Sequence, residues 1–513
     1  MKKILTVSAS VIAVLAMMLP LLISCGSPEG PSGETTPAPA ATSGTPEETK
    51  NLYDPNGYLL DDLPGDLNYG GNTVRILYWS DTERPEFEIK EEQLNGSIVE
   101  EAIYNRNVNT EERLGVSFEW IGKAGNNSNI PNFVSFVEAQ YNGGEFFDII
   151  ASYSRTVGTL MCRGFMQDLN AIENSHINYE KPWWPKTLLT TCDIHGHLFA
   201  VSGDISTNVL HFMYAIYYNT NLIDEMHIDD PVQFVDNKTW TVDKLIELTS
   251  NAYADLDNDG KRSEGDRYGF GSIYFHLDAF YSGSGLRLLE TDPDELIVIS
   301  EDFGSQKAID LADKLGAWCV SENCYISSYN TAKTYQAPFV KGNELFCQNR
   351  VYMADQANWC KLHDVEWTYG ILPTPLYDTN QEEYITIVGN PFTLWGIEKG
   401  ISAEDSSRAT AVIECLASCG YRGTTPALFE TNMKYRYTTD EKGDSVRMFD
   451  IIHDTIDFDL GRIFAYQNSE MSEMPSIAAS DGMSWGAQAQ IKIKALKKQI
   501  ANDLTGPLRE VIG

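Results

Sequence analysis

Between Asn72 and Ala151 the chain alternates short apolar runs with amphipathic stretches, and this alternation restricts the fold more than any other feature of the sequence. Asn72 to Trp79 (NTVRILYW) is rich in β-branched and aromatic residues and reads as a strand. Asn95 to Leu114 follows as a helix, with Ile98, Ala102, Ile103, Val108 and Leu114 suiting one face. Val116 to Ile121 is a second strand and Ile130 to Tyr141 a second helix, carrying Phe133, Phe136, Val137 and Tyr141. Phe146 to Ala151 then reads as a buried strand. Three β-α units in a row imply an α/β fold, a parallel sheet with helices on both faces. Such sheets bind ligands beyond the carboxyl ends of their strands, here Tyr78-Trp79-Ser80 and Ser152-Tyr153-Ser154. Trp79 and Tyr153 are therefore candidate ligand contacts, although aromatic residues on an apolar strand more commonly pack in the core.

The amino-terminal segment sets an expected location. Lys2 and Lys3 precede an apolar run from Ile4 to Ile23, which ends in Ser24-Cys25-Gly26. The run is long enough to span a bilayer, but Cys25 stands where apolar residues give way to Gly, Pro, Ser and Thr. It resembles a bacterial lipoprotein signal, and the resemblance implies a signal peptide over residues 1–24 and a diacylglycerol on Cys25. The protein is then expected on the extracytoplasmic face of the cell membrane. Residues 25–51 hold almost no aliphatic side chains and read as a flexible stalk. With 38 basic against 73 acidic residues the formal charge is −35, which disfavours nucleic acid as a partner.

Eight cysteines follow Cys25, none in a zinc-type spacing; they are expected mostly as free buried thiols, with Cys319 and Cys324 the favoured local pair. A separate signal begins at Asp255. Asp255, Asp257, Asp259 and Asp266 occupy positions 1, 3, 5 and 12 of a loop with Gly260 at position 6 and Lys261 at position 7, a spacing that lets oxygens wrap a structural Ca2+. Asp in place of Glu at position 12 departs from the usual loop, and a solvated Asx-rich turn is the alternative. The helix expected over Val242 to Ala254 leads into it and a strand from Tyr268 follows, an order that resembles the structural calcium loop of a periplasmic galactose-binding protein.

Six landmarks in order carry a wider resemblance. Phe147-Asp148-Ile149-Ile150 precedes a polar and aromatic loop and then Leu160 to Leu169, with Gly164, Asp168 and Leu169 in a Gly-x-x-x-Asp-Leu pattern. His195 to Asp204 leads to Met213 to Ile223, with Tyr218, Asn219 and Leu222 as Tyr-Asn-x-x-Leu, and Trp240-Thr241 opens a further helix. Phe339 to Gly342, Gly370 to Pro375 and Glu414 to Ala417 supply the remaining three. This series resembles the family 1 extracellular solute-binding proteins, of the maltose-binding-protein superfamily. The resemblance implies two lobes, each a mostly parallel sheet flanked by helices, joined at crossings near Ser202 to Ser206 and Gly389 to Phe392. Lobe 1 is expected to comprise residues 67–205 plus 390–424, and lobe 2 residues 206–389 plus 425–513.

A ligand cleft between lobes is implied as well. Its candidate contacts are Trp79, Tyr153, Tyr218, Tyr274, Asn390 and Trp395, with Trp359 at the place where the family stacks a tryptophan on sugar and Asp204 at the hinge. Near the carboxyl terminus Ile491, Ile493, Leu496 and Ile500 are expected to form the buried face of a helix whose lysines are solvated. The implied function is a monomeric, non-enzymatic binding subunit of an ABC importer, capturing an oligosaccharide and presenting it to permease subunits. An exported glycoside hydrolase or a surface carbohydrate-binding adhesin is the alternative.

Overall fold

The computed structural model describes residues 52–90, 94, 97–327, 335–355, 362, 365–429 and 443–513. The expected signal peptide, Cys25, the stalk and Trp359 lie outside the described residues. Among those described, no helix is long and apolar enough to cross a membrane.

The first sheet grows from the β-α alternation. Strand β1 (Asn72–Trp79) leads into helix α1 (Ile98–Leu114), β2 (Val116–Lys123), α2 (Ile130–Gly143), β3 (Ile149–Tyr153) and α3 (Ser154–Cys162). β1 pairs in parallel with both β2 and β3. All five β3 residues are buried because β3 is an inner strand with helices over its faces. No loop intervenes after β3: the polar stretch expected there turns directly into α3, whose nine residues are all buried.

The chain then enters a second sheet through β4 (Tyr214–Asn219) and β5 (Tyr268–Ile273). A short hairpin, β6 (Leu289–Asp292) and β7 (Leu296–Ile299), precedes β8 (Cys324–Ser327), β9 (Glu344–Arg350) and β10 (Tyr369–Leu372). The strand order is β10-β4-β9-β5-β8. This sheet is mixed and not mostly parallel: β5 runs parallel to β8 and β9, while β4 runs antiparallel to β9 and β10. β11 (Thr386–Ile387) carries the chain back towards the first sheet, where β12 (Thr393–Ile397) pairs antiparallel with β3.

Two segments link the sheets. Residues 202–213 lead from the first to the second, and residues 388–392 return. Their backbones meet where Gly389 N–H donates to Phe212 C=O at 2.7 Å. Beyond the helix Ala403–Cys419, the helix Asp444–Asp454 packs on β10, and β13 (Ile456–Asp457) pairs with β11. The helices Leu460–Ile463 and Gly506–Ile512 both pack on α3, whereas Trp485–Ile500 packs on β7 and the helix Gln306–Cys319. The carboxyl-terminal residues thus touch both sheets' surroundings.

Local physics explains several elements. Thr241 caps the helix Val242–Thr249 by accepting from Lys244 N–H at 3.1 Å, and Ser402 caps Ala403–Cys419 likewise through Asp405 N–H at 3.1 Å. The first of these helices stops five residues short of its expected end. Ile491 is a correction: it is 73% exposed, because only Ala489, Leu496, Ile500 and Trp485 of its helix face the core. Cys319 and Cys324 are free thiols, as are Cys162, Cys192, Cys415 and Cys419, so the expected local bridge is absent.

Candidate functional site

A cavity of about 710 Å³ opens between the two sheets, inside the range of roughly 300–1,000 Å³ usual for ligand pockets. Its position follows from the topology. Tyr153 ends β3, Ile273 ends β5 and Arg350 ends β9, so three strands deliver their carboxyl ends to it. Antiparallel strands contribute their amino ends to the same edges: Tyr214 begins β4, and Asn390 and Pro391 stand just before β12. Tyr274, Phe275, His276 and Asp278 follow β5, and Arg462 and Glu473 come from the carboxyl-terminal part of the chain.

The floor is aromatic. Tyr153, Tyr214, Tyr335 and Tyr352 line it with their surfaces largely buried, and the half-exposed Tyr274 and Phe275 extend it outward. His276 meets the Tyr214 ring edge-on, with centroids 5.1 Å apart, and the Tyr335 ring at 5.5 Å. Burial and the nearby Arg350 charge push the His276 imidazole well below its usual pKa, so it is neutral at pH 7.

Three arginines stand among these rings. Arg155 binds Glu470 through two prongs, Nη1 to Oε1 at 2.7 Å and Nη2 to Oε2 at 2.6 Å, and Nη1 also donates to Asn127 Oδ1 at 3.0 Å. Its Nε donates to the Asn390 side-chain oxygen at 3.1 Å, with the amide oriented by that bond. Arg462 pairs with Asp278, both almost fully buried. Arg350 donates from Nη2 to the Tyr214 hydroxyl at 3.3 Å and lies over the Phe212 and Tyr214 rings at 5.1 and 5.4 Å. Gly389 makes room for it, since a Cβ there would fall 2.6 Å from Arg350 Nε.

The sequence-derived candidates divide by position. Tyr153, Tyr274 and Asn390 line the cavity. Trp79 does not: it is fully buried, donates from its indole N–H to Thr393 Oγ1 at 2.9 Å, and its ring meets that of Tyr153 at 5.4 Å. Trp395 is buried on β12 against Phe87, and Tyr218 is buried on β4 beside Phe346, where Gly370 leaves space for its ring. In all three cases strand alternation turns the side chain into the core. Asp204 lines a different cavity, of about 270 Å³, with Pro185 and His453. Its carboxyl bonds Thr425, and burial pushes its pKa up to about 6. The sequence reading missed Arg155, Arg350 and Arg462. Their signal was a lone arginine closing or interrupting an apolar run, as in SYSR, LFCQNR and DLGRIF.

The Asp-rich loop lies elsewhere on the second sheet's side. Asp255, Asp257 and Asp259 each place a carboxylate oxygen within 4.8 Å of the others'. Asp266 is buried and ties the loop instead, accepting from Leu256 N–H at 3.1 Å and Ser263 N–H at 2.7 Å. Lys261 N–H donates to Asp259 Oδ1 at 2.7 Å.

Several buried carboxyls bear on stability. Burial, the largest cause in each case, pushes Glu88, Glu398, Glu414 and Glu473 up to about 7, and Asp204 and Asp459 up to about 6. These groups hold protons more tightly folded than unfolded. Their stabilising contribution is therefore full below the unfolded carboxyl range and is lost as pH rises through 6 and 7. His276 acts oppositely, since its lowered folded pKa removes stability as pH falls below its usual value near 6.5. Six raised carboxyls outweigh the one histidine, so melting temperature is expected to climb as pH falls from about 8 to about 5. Scanning calorimetry across that range checks this; a melting temperature that rose steadily towards pH 8 would contradict it.

No family model matches the sequence, and no curated protein matches it. Solved structures do match in fold. The GacH receptor of Streptomyces glaucescens GLA.O, solved unliganded and with acarbose, is 12% identical over 84% of this chain and 98% of its own, with a TM-score of 0.54. The galacto-N-biose/lacto-N-biose I-binding protein of a Bifidobacterium longum ABC transporter is 11% identical over 85% and 98%, TM-score 0.54. The cyclic α-maltosyl-1,6-maltose binding protein of Arthrobacter globiformis is 13% identical over 85% and 100%, TM-score 0.54. The chain therefore has the two-lobe fold of the maltose-binding-protein type of substrate-binding protein.

Proposed function

We propose that this protein is the extracytoplasmic, lipid-anchored binding subunit of an ABC importer, and that it captures an oligosaccharide between its lobes. The observation that carries this reading is the cavity itself, set at the facing strand ends of two sheets and lined by tyrosine rings interleaved with planar Arg and Asn side chains. Sugar rings present apolar faces and a rim of hydroxyls, which such a mixture complements. The fold neighbours named above are sugar-binding proteins by their descriptions, which supports the same class of ligand here. Closure of the lobes about the crossing segments converts binding into a shape that permease subunits recognise. No catalytic step is required.

Tyr153 provides the direct test. It lines the cavity backed by Trp79, so Tyr153→Ala removes a stacking face without touching the crossings. Affinity for the oligosaccharide is expected to fall about tenfold or more by titration calorimetry, in line with the ~1.5–3 kcal/mol of a buried aromatic contact. Unchanged affinity would count against this cavity as the site.

In the same reading Ca2+ is held by Asp255, Asp257 and Asp259, with Lys261 C=O as a further donor and Asp266 bracing the loop. The convergence of three carboxylates supports it. Calcium at about 1 mM is expected to raise the melting temperature by a few degrees and chelator to reverse the rise, as for any ion bound only by the folded state. Asp257→Asn is expected to abolish the response; a rise of equal size in that variant would remove calcium from the account.

A further inference from the structure

Arg350 is the cavity residue that the neutral-sugar reading leaves unexplained. It is 9% exposed, and among the described residues no carboxylate lies within ion-pair distance of it. Among the described residues its Nε has no hydrogen-bond partner, and its guanidinium makes one hydrogen bond, the long one to the Tyr214 hydroxyl. The other two cavity arginines are each neutralised, Arg155 by Glu470 and Arg462 by Asp278. Burying a guanidinium without a counter-charge is costly, since it stays protonated. The rings of Phe212 and Tyr214 hold its faces and Gly389 stands against Nε, which leaves the terminal Nη groups as its donors towards the cavity it lines.

The acids of the cavity are distributed unevenly among its three arginines. At the floor three guanidiniums face two carboxylates, Asp278 and Glu470. Two more acids line the cavity: Glu83, exposed at the rim, acts on Arg350 through space, and Glu473 is pushed up to about 7 by burial and by its acidic neighbours, so it is partly neutral at pH 7. Four acids thus stand around three guanidiniums, in a chain of formal charge −35, and the opening for an anion is the fork of Arg350, the one cavity arginine with no carboxylate in contact among the described residues.

We propose, resting on the carbohydrate reading above, that the guest of this cleft is an acidic oligosaccharide whose carboxylate or sulfate group seats on the fork of Arg350. Arginine pairs with such groups through two parallel hydrogen bonds, which gives direction as well as charge. A neutral sugar of the same size leaves that buried fork unpaired.

The test is titration calorimetry of the full chain with trigalacturonic acid, its fully methyl-esterified form, a sulfated chondroitin disaccharide and maltotriose. At least one acidic probe is expected to bind about tenfold or more tightly than maltotriose, as expected for a charge-assisted pair. If it is trigalacturonic acid, esterification erases the advantage and the anion is a carboxylate; if it is the chondroitin disaccharide, which carries a uronate carboxylate as well as a sulfate, its desulfated form decides, an advantage lost with the sulfate assigning sulfate and one that is kept assigning the carboxylate. Arg350→Gln is expected to bring the ratio of acidic-probe to maltotriose affinity down to about one, and Arg350→Lys to restore only part of it. The probe comparison needs no variant, so it decides even where Arg350→Gln does not fold. Maltotriose binding as tightly as every acidic probe overturns the proposal and leaves the carbohydrate reading standing. Absence of binding by all four overturns both.

Discussion

Replacing Gly420 by alanine is expected to cost the protein about 3 kcal/mol, although helix propensity alone predicts a gain. Gly420 follows the helix Ala403–Cys419 in ordinary right-handed backbone, with φ −59°, where alanine is favoured by about 1 kcal/mol over glycine. Space decides the sign. A Cβ at this position would stand 2.0 Å from the carbonyl oxygen of Asp204, in the segment that links the two sheets. Both partners are backbone, so neither can rotate away. The helix and the linking segment must separate by more than an ångström, and overpacking of this kind costs about 1–3 kcal/mol or more. Urea unfolding of Gly420→Ala measures the change, and a midpoint equal to or above that of the parent would show that the contact is not tight.

The second large effect is an asymmetry across the Arg462–Asp278 pair. Asp278→Ala leaves Arg462 buried beside Arg350 with no ion-pair partner among the described residues and no means of losing its proton. A loss of about 3–5 kcal/mol is expected, the usual cost of removing one partner of a buried pair. Arg462→Met leaves Asp278 instead. Burial already pushes that carboxyl upward against the pull of Arg462, so without the arginine it takes up a proton and becomes neutral. The deficit of Arg462→Met is therefore expected to shrink as pH falls from about 8 to about 5, while that of Asp278→Ala does not. Denaturant midpoints of both variants at the two pH values test this. Equal pH dependence in the two would contradict the buried pairing.

These residues also show how far the sequence could be read. The first sheet was legible because its strands and helices are consecutive and each obeys its own hydrophobic period. The mixed order of the second sheet was not, since parallel and antiparallel neighbours are joined across some 150 residues and no local period records direction. Tyr153 was found by the rule that ligands gather at strand ends, Tyr274 as an aromatic residue beside a loop, and Asn390 by its place in an expected crossing. Trp79, at a strand end, and Trp395, an aromatic residue beside a loop, met the same two criteria as Tyr153 and Tyr274, yet they pack inside, because which side of a strand faces a cleft depends on neighbours far away in sequence. The three arginines were missed for a related reason. A guanidinium in an apolar run looks like a surface residue until the fold shows the run to be buried.

The central claim is that the cleft binds an oligosaccharide and releases it unaltered. The most direct measurement is calorimetric titration of the protein with an oligosaccharide panel, neutral and acidic, followed by mass spectrometry of the recovered sugar. The account predicts one sugar bound per chain, affinity lost in Tyr153→Ala, and recovered sugar of unchanged mass. Hydrolysed sugar, or a panel in which no member binds, would contradict it.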